Sequence, residues 1–118
     1  MIDFTTAFTT EISVLPEKIE DLLISAFEGG SNYWCKGSTT LKNPYSFSTY
    51  KEHWFIEIID TEDPSNQKYT LTLNDLYKGY SLFPKYKRNF NNFINENYDA
   101  EDADVFLQLC IFGEVIYG

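Results

Sequence analysis

An amphipathic helix that runs into paired glycines and then directly into an aromatic segment leaves a chain few ways to fold, and residues 16–37 have that form. Pro16, Ile19, Leu22, Leu23, Ala26 and Phe27 recur at three- and four-residue intervals, while Glu17, Lys18, Glu20, Asp21 and Glu28 fall largely on the opposite side. Pro16 suits a first helical turn, where no backbone donor is needed. Gly29 and Gly30 are expected to stop the helix, one of them in the left-handed conformation that glycine adopts without a Cβ clash. A strand is expected over residues 32–36. The Gly-Gly-Ser run does not predict a phosphate cradle, because that chemistry needs a helix N-terminus after the glycines and here the helix precedes them.

The rest of the chain supplies a sheet and helices to pack on that corner. In residues 52–60, Trp54, Ile56 and Ile58 share one face and Phe55, Glu57 and Ile59 the other, the pattern of a central strand half covered on its second side. Residues 68–73 alternate Tyr69, Leu71 and Leu73 with Thr70 and Thr72, and the intervening residues 61–67 carry turn chemistry, so the two segments read as an antiparallel hairpin. Tyr45, Phe47 and Thr49 alternate over residues 45–50 and are expected to extend the sheet. The period then turns helical, with Asn74 as N-cap, Asp75 in the first turn, and Leu76, Tyr77, Tyr80 and Phe83 as the apolar face until Pro84 interrupts. A helix follows from Pro84 through Tyr86, Phe90, Phe93 and Ile94. The last begins at Asp99, buries Ala103, Phe106, Leu107, Cys110 and Ile111, and ends at Gly113, leaving residues 114–118 as a tail or strand. Residues 1–15, with Phe4, Phe8, Ile12 and Val14, read as a strand or ordered arm. The expected architecture is one α+β domain over residues 1–118, a small antiparallel sheet of about three to four strands packed against about four helices.

With 118 residues there is room for one core and not two. Aromatics make up 18% of the chain, more rings than a core this size needs, and surplus rings favour interfaces. Eighteen acidic against nine basic residues give a net charge of −9, which repels bare nucleic acid and anionic membrane and favours a basic protein partner. Cys35 and Cys110 lack metal-ligand spacing and lie among apolar or aromatic neighbours, so free buried thiols in a reducing cytoplasm are expected. No apolar run approaches the roughly 20 residues that span a bilayer.

Catalysis would have to be built on the single histidine, His53, with Ser31, Ser38 or Cys35 as nucleophile and Asp60 as orienter. Nothing in the spacing selects such a set, and the chain reads as a non-enzyme without cofactor. Asp60, Glu62 and Asp63 lack the glycine and distal glutamate of a calcium loop, so no metal site is expected. Glu96, Asp99, Glu101, Asp102 and Asp104 form one acidic run, and Glu52, Glu57, Asp60, Glu62 and Asp63 a second. The first is explained equally by helix capping, and Asp102 and Asp104 stand about 200° apart on a helix, too far round to share a site. Brought together, the two runs would make a negative patch able to occupy a basic, nucleic-acid-binding groove. Lys78, Lys85, Lys87 and Arg88, interleaved with Tyr80, Tyr86 and Phe90, have the composition of a nucleic-acid patch. The helical spacing of those rings assigns most of them to the core, and the charge of the whole chain argues against nucleic acid as sole ligand.

Two segments carry a resemblance. Glu28-Gly29-Gly30-Ser31-Asn32-Tyr33-Trp34, together with Asp99-Ala100, Ala103-Asp104, Phe106, Gln108, Phe112-Gly113-Glu114 and Tyr117-Gly118, resembles a family of small phage and prophage proteins without an assigned activity. Leu71, Leu73, Gly79 and the helix after Pro84 fit the same layout, so the resemblance spans about residues 16–118. It implies a phage-derived protein in a bacterial host cytoplasm and supplies no catalytic residue. The function expected from it is that of an anti-CRISPR-type inhibitor, whose partner is a host defence nuclease or its ribonucleoprotein complex, blocked sterically or conformationally. Glu62, Asp63, Asp102 and Asp104 would steer the encounter, and Tyr33, Trp34 or Tyr45 would anchor it. The alternative is a small-ligand or nucleic-acid-binding module of phage metabolism that uses Trp34, Trp54 and the basic stretch from Lys78 to Arg88.

Overall fold

In the computed structural model, which describes residue 8 and residues 14–118, helix α1 (Pro16–Ser25) begins at the proline and buries Ile19, Leu22 and Leu23. The expected strand or arm over residues 1–15 lies outside the described residues apart from Phe8, Val14 and Leu15. The end of α1 widens into a π-helical turn, Ala26–Gly30, closed by the Ser31 N–H donating to the Ala26 carbonyl at 2.8 Å. Neither Gly29 nor Gly30 is among the glycines of positive φ, which corrects the expectation of a left-handed stop. Gly30 is glycine for a different reason: a Cβ there would stand 2.1 Å from the backbone oxygen of Ala100, so the end of the first helix lies against the start of the last.

Residues 31–34 turn before the sheet begins, with the N–H groups of Trp34 and Cys35 both donating to the Ser31 carbonyl, and this delays the first strand to β1 (Cys35–Ser38). Strand β2 (Phe55–Asp60) lies between β1 and β3 (Lys68–Thr72) in a three-stranded antiparallel sheet, Ile58 standing opposite Gly37 on one side and Tyr69 on the other. Trp54, Ile56 and Ile58 point inward and are buried, as the alternation requires. Residues 45–50 do not join the sheet. They form a short helix, α2 (Phe47–Tyr50), continued by a 3-10 turn at Lys51–His53. Phe47 is buried against Phe8 and Trp54, and the Trp54 indole N–H holds the loop by donating to the Pro44 carbonyl at 2.7 Å.

Strand β3 runs straight into α3 (Leu73–Leu82), whose cap is Thr72 rather than Asn74: the Asp75 carboxylate accepts from the Thr72 N–H at 2.8 Å. Pro84 lies in a 3-10 turn, Phe83–Lys85, after which α4 (Lys87–Ile94) begins. Helix α5 (Ala100–Phe112) has Asp99 as N-cap, and Gly113 ends it in the left-handed conformation at φ 76°. It is buried nearly all round, Ala103, Phe106, Leu107, Leu109 and Cys110 being inaccessible, and α3 crosses it so closely that a Cβ on Gly79 would meet the Cys110 sulfur at 2.2 Å. The result is an α+β domain with, among the described residues, five α-helices and a three-stranded antiparallel sheet, one short helix more there than the sequence predicts. Among the described residues no helix is long and apolar enough to cross a membrane.

Candidate interaction site

Asp104 is where the two most distinctive stretches of sequence meet. It lies one turn into α5, 6% exposed, and faces the turn that follows Gly30. Its Oδ1 accepts from the Ser31 hydroxyl and the Trp34 indole N–H, each at 2.7 Å. Its Oδ2 accepts from the Tyr33 hydroxyl at 2.6 Å and from Nε2 of Gln108 at 3.0 Å. All four donors are neutral, so among the described residues the carboxylate is solvated by dipoles without a cation beside it.

Gln108, one helical turn further on, carries the network to the end of the chain. Its Oε1 accepts from the N–H groups of Ile116 and Tyr117 at 2.8 and 2.9 Å, and its Nε2 donates to the Tyr117 carbonyl at 3.2 Å. The Tyr117 hydroxyl in turn donates to Asp60 Oδ2 at 2.6 Å, while Asp60 Oδ1 accepts the N–H groups of Glu62 and Asp63. The two acidic runs are therefore joined, as a buried polar network rather than as a surface patch. Burial, then the bond to Asp104, pushes the Tyr33 phenol well above its ordinary range. The bond to Asp60, then burial, pushes Tyr117 up to about 12. Burial, helped by the charges of Asp104 and Asp60, takes the Cys35 thiol to about 12, far from a reactive thiolate.

The expected steering acids divide accordingly. Asp102 is 1% exposed and accepts from Asn89, Asn92 and the Asp99 N–H, a capping group and not a surface charge. Asp104 is likewise removed from the surface by the partners above. Asp63 is half-buried and accepts from Ser65 and the Gln67 N–H inside the β2–β3 turn, bonds that hold its carboxyl below the usual range, the Ser65 hydroxyl chief among them. Glu62 is exposed, as a steering residue must be. Of the three expected anchors, Trp34 is wholly buried and cannot reach a partner, Tyr45 is half-buried with its ring stacked on Phe27 at 6.0 Å, and Tyr33 is 47% exposed.

The basic residues keep their surface: Lys78, Lys85, Lys87 and Arg88 are all exposed, with Arg88 3.4 Å from Glu101. Tyr80 and Phe90 between them are buried, as their spacing requires. The residues proposed for a nucleophilic centre have other partners, Ser31 on Asp104 and His53 on the surface beside Glu52. Among the described residues no three metal-ligating side chains come together. Ser31, Gln108, Asp60 and Tyr117 were not legible as a site, although the i, i+4 spacing of Asp104 and Gln108 places them on one helix face.

One cleft borders this framework and another lies apart from it. The first, about 500 Å³, opens between the π-turn and α5, with Gly29, Gly30 and Tyr33 on one side, Glu101 and Asp104 on the other, and Tyr117 closing the end. The second, about 350 Å³, lies by Phe27, Tyr45 and Lys42 at the end of β1. No protein-family model, curated protein or solved structure matches the chain.

Proposed function

We propose that the chain is a phage-derived protein that binds and blocks a host defence nuclease, or its ribonucleoprotein complex, in the bacterial cytoplasm by occupying a basic surface. The observation that supports this most directly is the acid left outside once Asp60, Asp102 and Asp104 are withdrawn into the core. Glu17, Asp21 and Glu28 are exposed on the outer side of α1 and the turn that continues it, and Glu62 is exposed at the sheet turn. Ion pairs of Lys or Arg with acids among the described residues are confined to Lys18–Glu96 and Arg88–Glu101. A surface of this kind accelerates encounter with a basic partner and disfavours free nucleic acid. The test is capture of the N-terminally tagged protein from a defence-carrying host, with protein and RNA both identified; a stoichiometric nuclease is expected, and an eluate of nucleic acid alone refutes the reading. Glu17→Gln, Asp21→Asn and Glu62→Gln together should slow association and flatten its salt dependence.

A second reading draws on Lys85 and Lys87, which stand exposed on either side of Tyr86 at the bend between α3 and α4. On that reading the chain is a small-ligand or nucleic-acid-binding module. Binding of a short RNA by the purified protein, lost in Lys85→Ala/Lys87→Ala, would favour it over the inhibitor.

A further inference from the structure

We infer that the cleft between the π-turn and α5 receives an arginine side chain of the basic partner protein, an inference that rests on reading the chain as a binder of basic surfaces. Three features of the cleft define the occupant. Its floor is Asp104, a carboxylate 6% exposed and bonded, among the described residues, to four neutral donors and no cation, so the field of its charge extends into the cleft. Its rim carries Glu101, whose side chain is 70% exposed and whose contact with Arg88, at 3.4 Å and also largely exposed, is loose enough to be exchanged for a better-shielded partner. Its wall is Tyr33, half-exposed and fixed in place because its hydroxyl is tied to Asp104.

A guanidinium satisfies all three at once. It stacks flat on a tyrosine ring, offers a planar fork of N–H donors to the Glu101 carboxylate, and brings positive charge over Asp104. An ammonium group is more strongly hydrated and lacks the fork. The positive end of α5, which would otherwise invite an anion, is already occupied by the reciprocal cap of Asp99 and Asp102. Gly29 and Gly30 leave the wall beside Tyr33 without side chains, and at about 500 Å³ the cleft is within the size range of small-molecule sites.

The full chain, isotope-labelled, is titrated with N-acetyl-arginine amide and followed by amide NMR. Shifts are expected at Gly29, Gly30, Tyr33 and Glu101, and N-acetyl-citrulline amide, which has the same shape without the charge, should bind at least about tenfold more weakly. Gly29 lines the cleft and a Cβ there meets nothing within 4 Å, so Gly29→Leu should fold, and the bulk it adds at the cleft wall should remove these shifts. Glu101→Gln should weaken binding by about fivefold. Equal response to the citrulline compound, shifts scattered over the exposed acids, or full binding by folded Gly29→Leu would overturn the inference. Capture of a host nuclease at wild-type strength by Gly29→Leu would also overturn it while leaving the proposed function standing. Arginine binding in the cleft with no nuclease captured would support the cleft and remove the nuclease.

Discussion

Replacing Asp104 by Asn tests the framework at the point where most of it converges. The amide oxygen can stay where Oδ1 is and keep Ser31 and Trp34, at 2.7 Å each, but those two bonds become neutral. The new NH₂ group then stands where Oδ2 received the Tyr33 hydroxyl and the Gln108 amide. Tyr33 can rotate its hydroxyl and accept. Gln108 cannot flip, because its Oε1 already takes the N–H groups of Ile116 and Tyr117. Weakening two charge-assisted bonds costs about 1 kcal/mol each, and setting two buried donors face to face about 1–3 kcal/mol. Relief of the desolvation of a buried charge returns part of this, leaving a net loss of about 2–4 kcal/mol. For a chain of 118 residues that lowers Tm by roughly 8–16 °C. Thermal and urea unfolding followed by circular dichroism measure it, with Tyr33→Phe as the mild comparison at about 1 kcal/mol, since that ring is half-exposed. An Asp104→Asn protein within about 1 kcal/mol of wild type, with an unchanged m-value, would refute the assignment of Asp104 as the tie between the two segments.

The glycines give an ordered set: Gly30→Ala and Gly79→Ala, whose Cβ atoms would stand 2.1 Å from the Ala100 oxygen and 2.2 Å from the Cys110 sulfur, should each cost about 1–3 kcal/mol or more, while Gly29→Ala, free of contacts, should be neutral or stabilising by about 0.4–1 kcal/mol in the same unfolding assay. Cys35 and Cys110 are free and buried, and burial raises both thiols, so a soluble disulfide reagent at mildly alkaline pH should label neither in the native protein and both after unfolding. Tyr33, Tyr117 and Cys35 all have folded-state values raised above their ordinary ones. Their contribution to stability is therefore complete below those ordinary values, 9.0 for the thiol and 10.0 for the phenols; that of Cys35 and Tyr117 is lost as pH rises toward about 12, and that of Tyr33, raised further, persists to higher pH. Urea midpoints should fall across that interval, and an unchanged midpoint at its top would refute the hydrogen bonding of Tyr117 to Asp60 and the burial of Cys35.

Elements whose signals are local could be read from the sequence, and those fixed by a distant contact could not. The β2–β3 hairpin followed from alternation over Trp54, Ile56 and Ile58 and from the turn residues between the strands, and α5 from Asp99 at one end and Gly113 at the other. Residues 45–50 misled because their alternation has a second solution: only Phe47 is buried, Tyr45 being half-buried and Thr49 exposed, so one ring can enter the core from a single helical turn as well as from a strand. Gly30 misled for the opposite reason. A glycine at a helix end has a local explanation ready, yet the contact that requires it is with Ala100, seventy residues away.

The acids were the hardest to read, because a carboxylate's role depends on what faces it, and neighbouring positions on a helix face different things. Successive α5 residues turn about 100°, so Glu101 points to solvent, Asp102 to the asparagines of α4, and Asp104 to the turn after Gly30. The run of five that looked like one negative surface is two internal ties, Asp102 and Asp104, and three exposed acids, of which Glu96 pairs with Lys18, Asp99 caps α5 and Glu101 lies beside Arg88. Both ties have a structural consequence: Asp102 fixes the start of α5 on α4, and Asp104 fixes it on the corner at Ser31–Trp34. The segments at residues 28–34 and 99–118 are therefore bonded to each other, Ser31, Tyr33 and Trp34 from the first to Asp104 and Gln108 from the second. Glu17, Asp21, Tyr45 and Glu62 lie outside both segments, so the surface available to a partner can change while that framework stays the same.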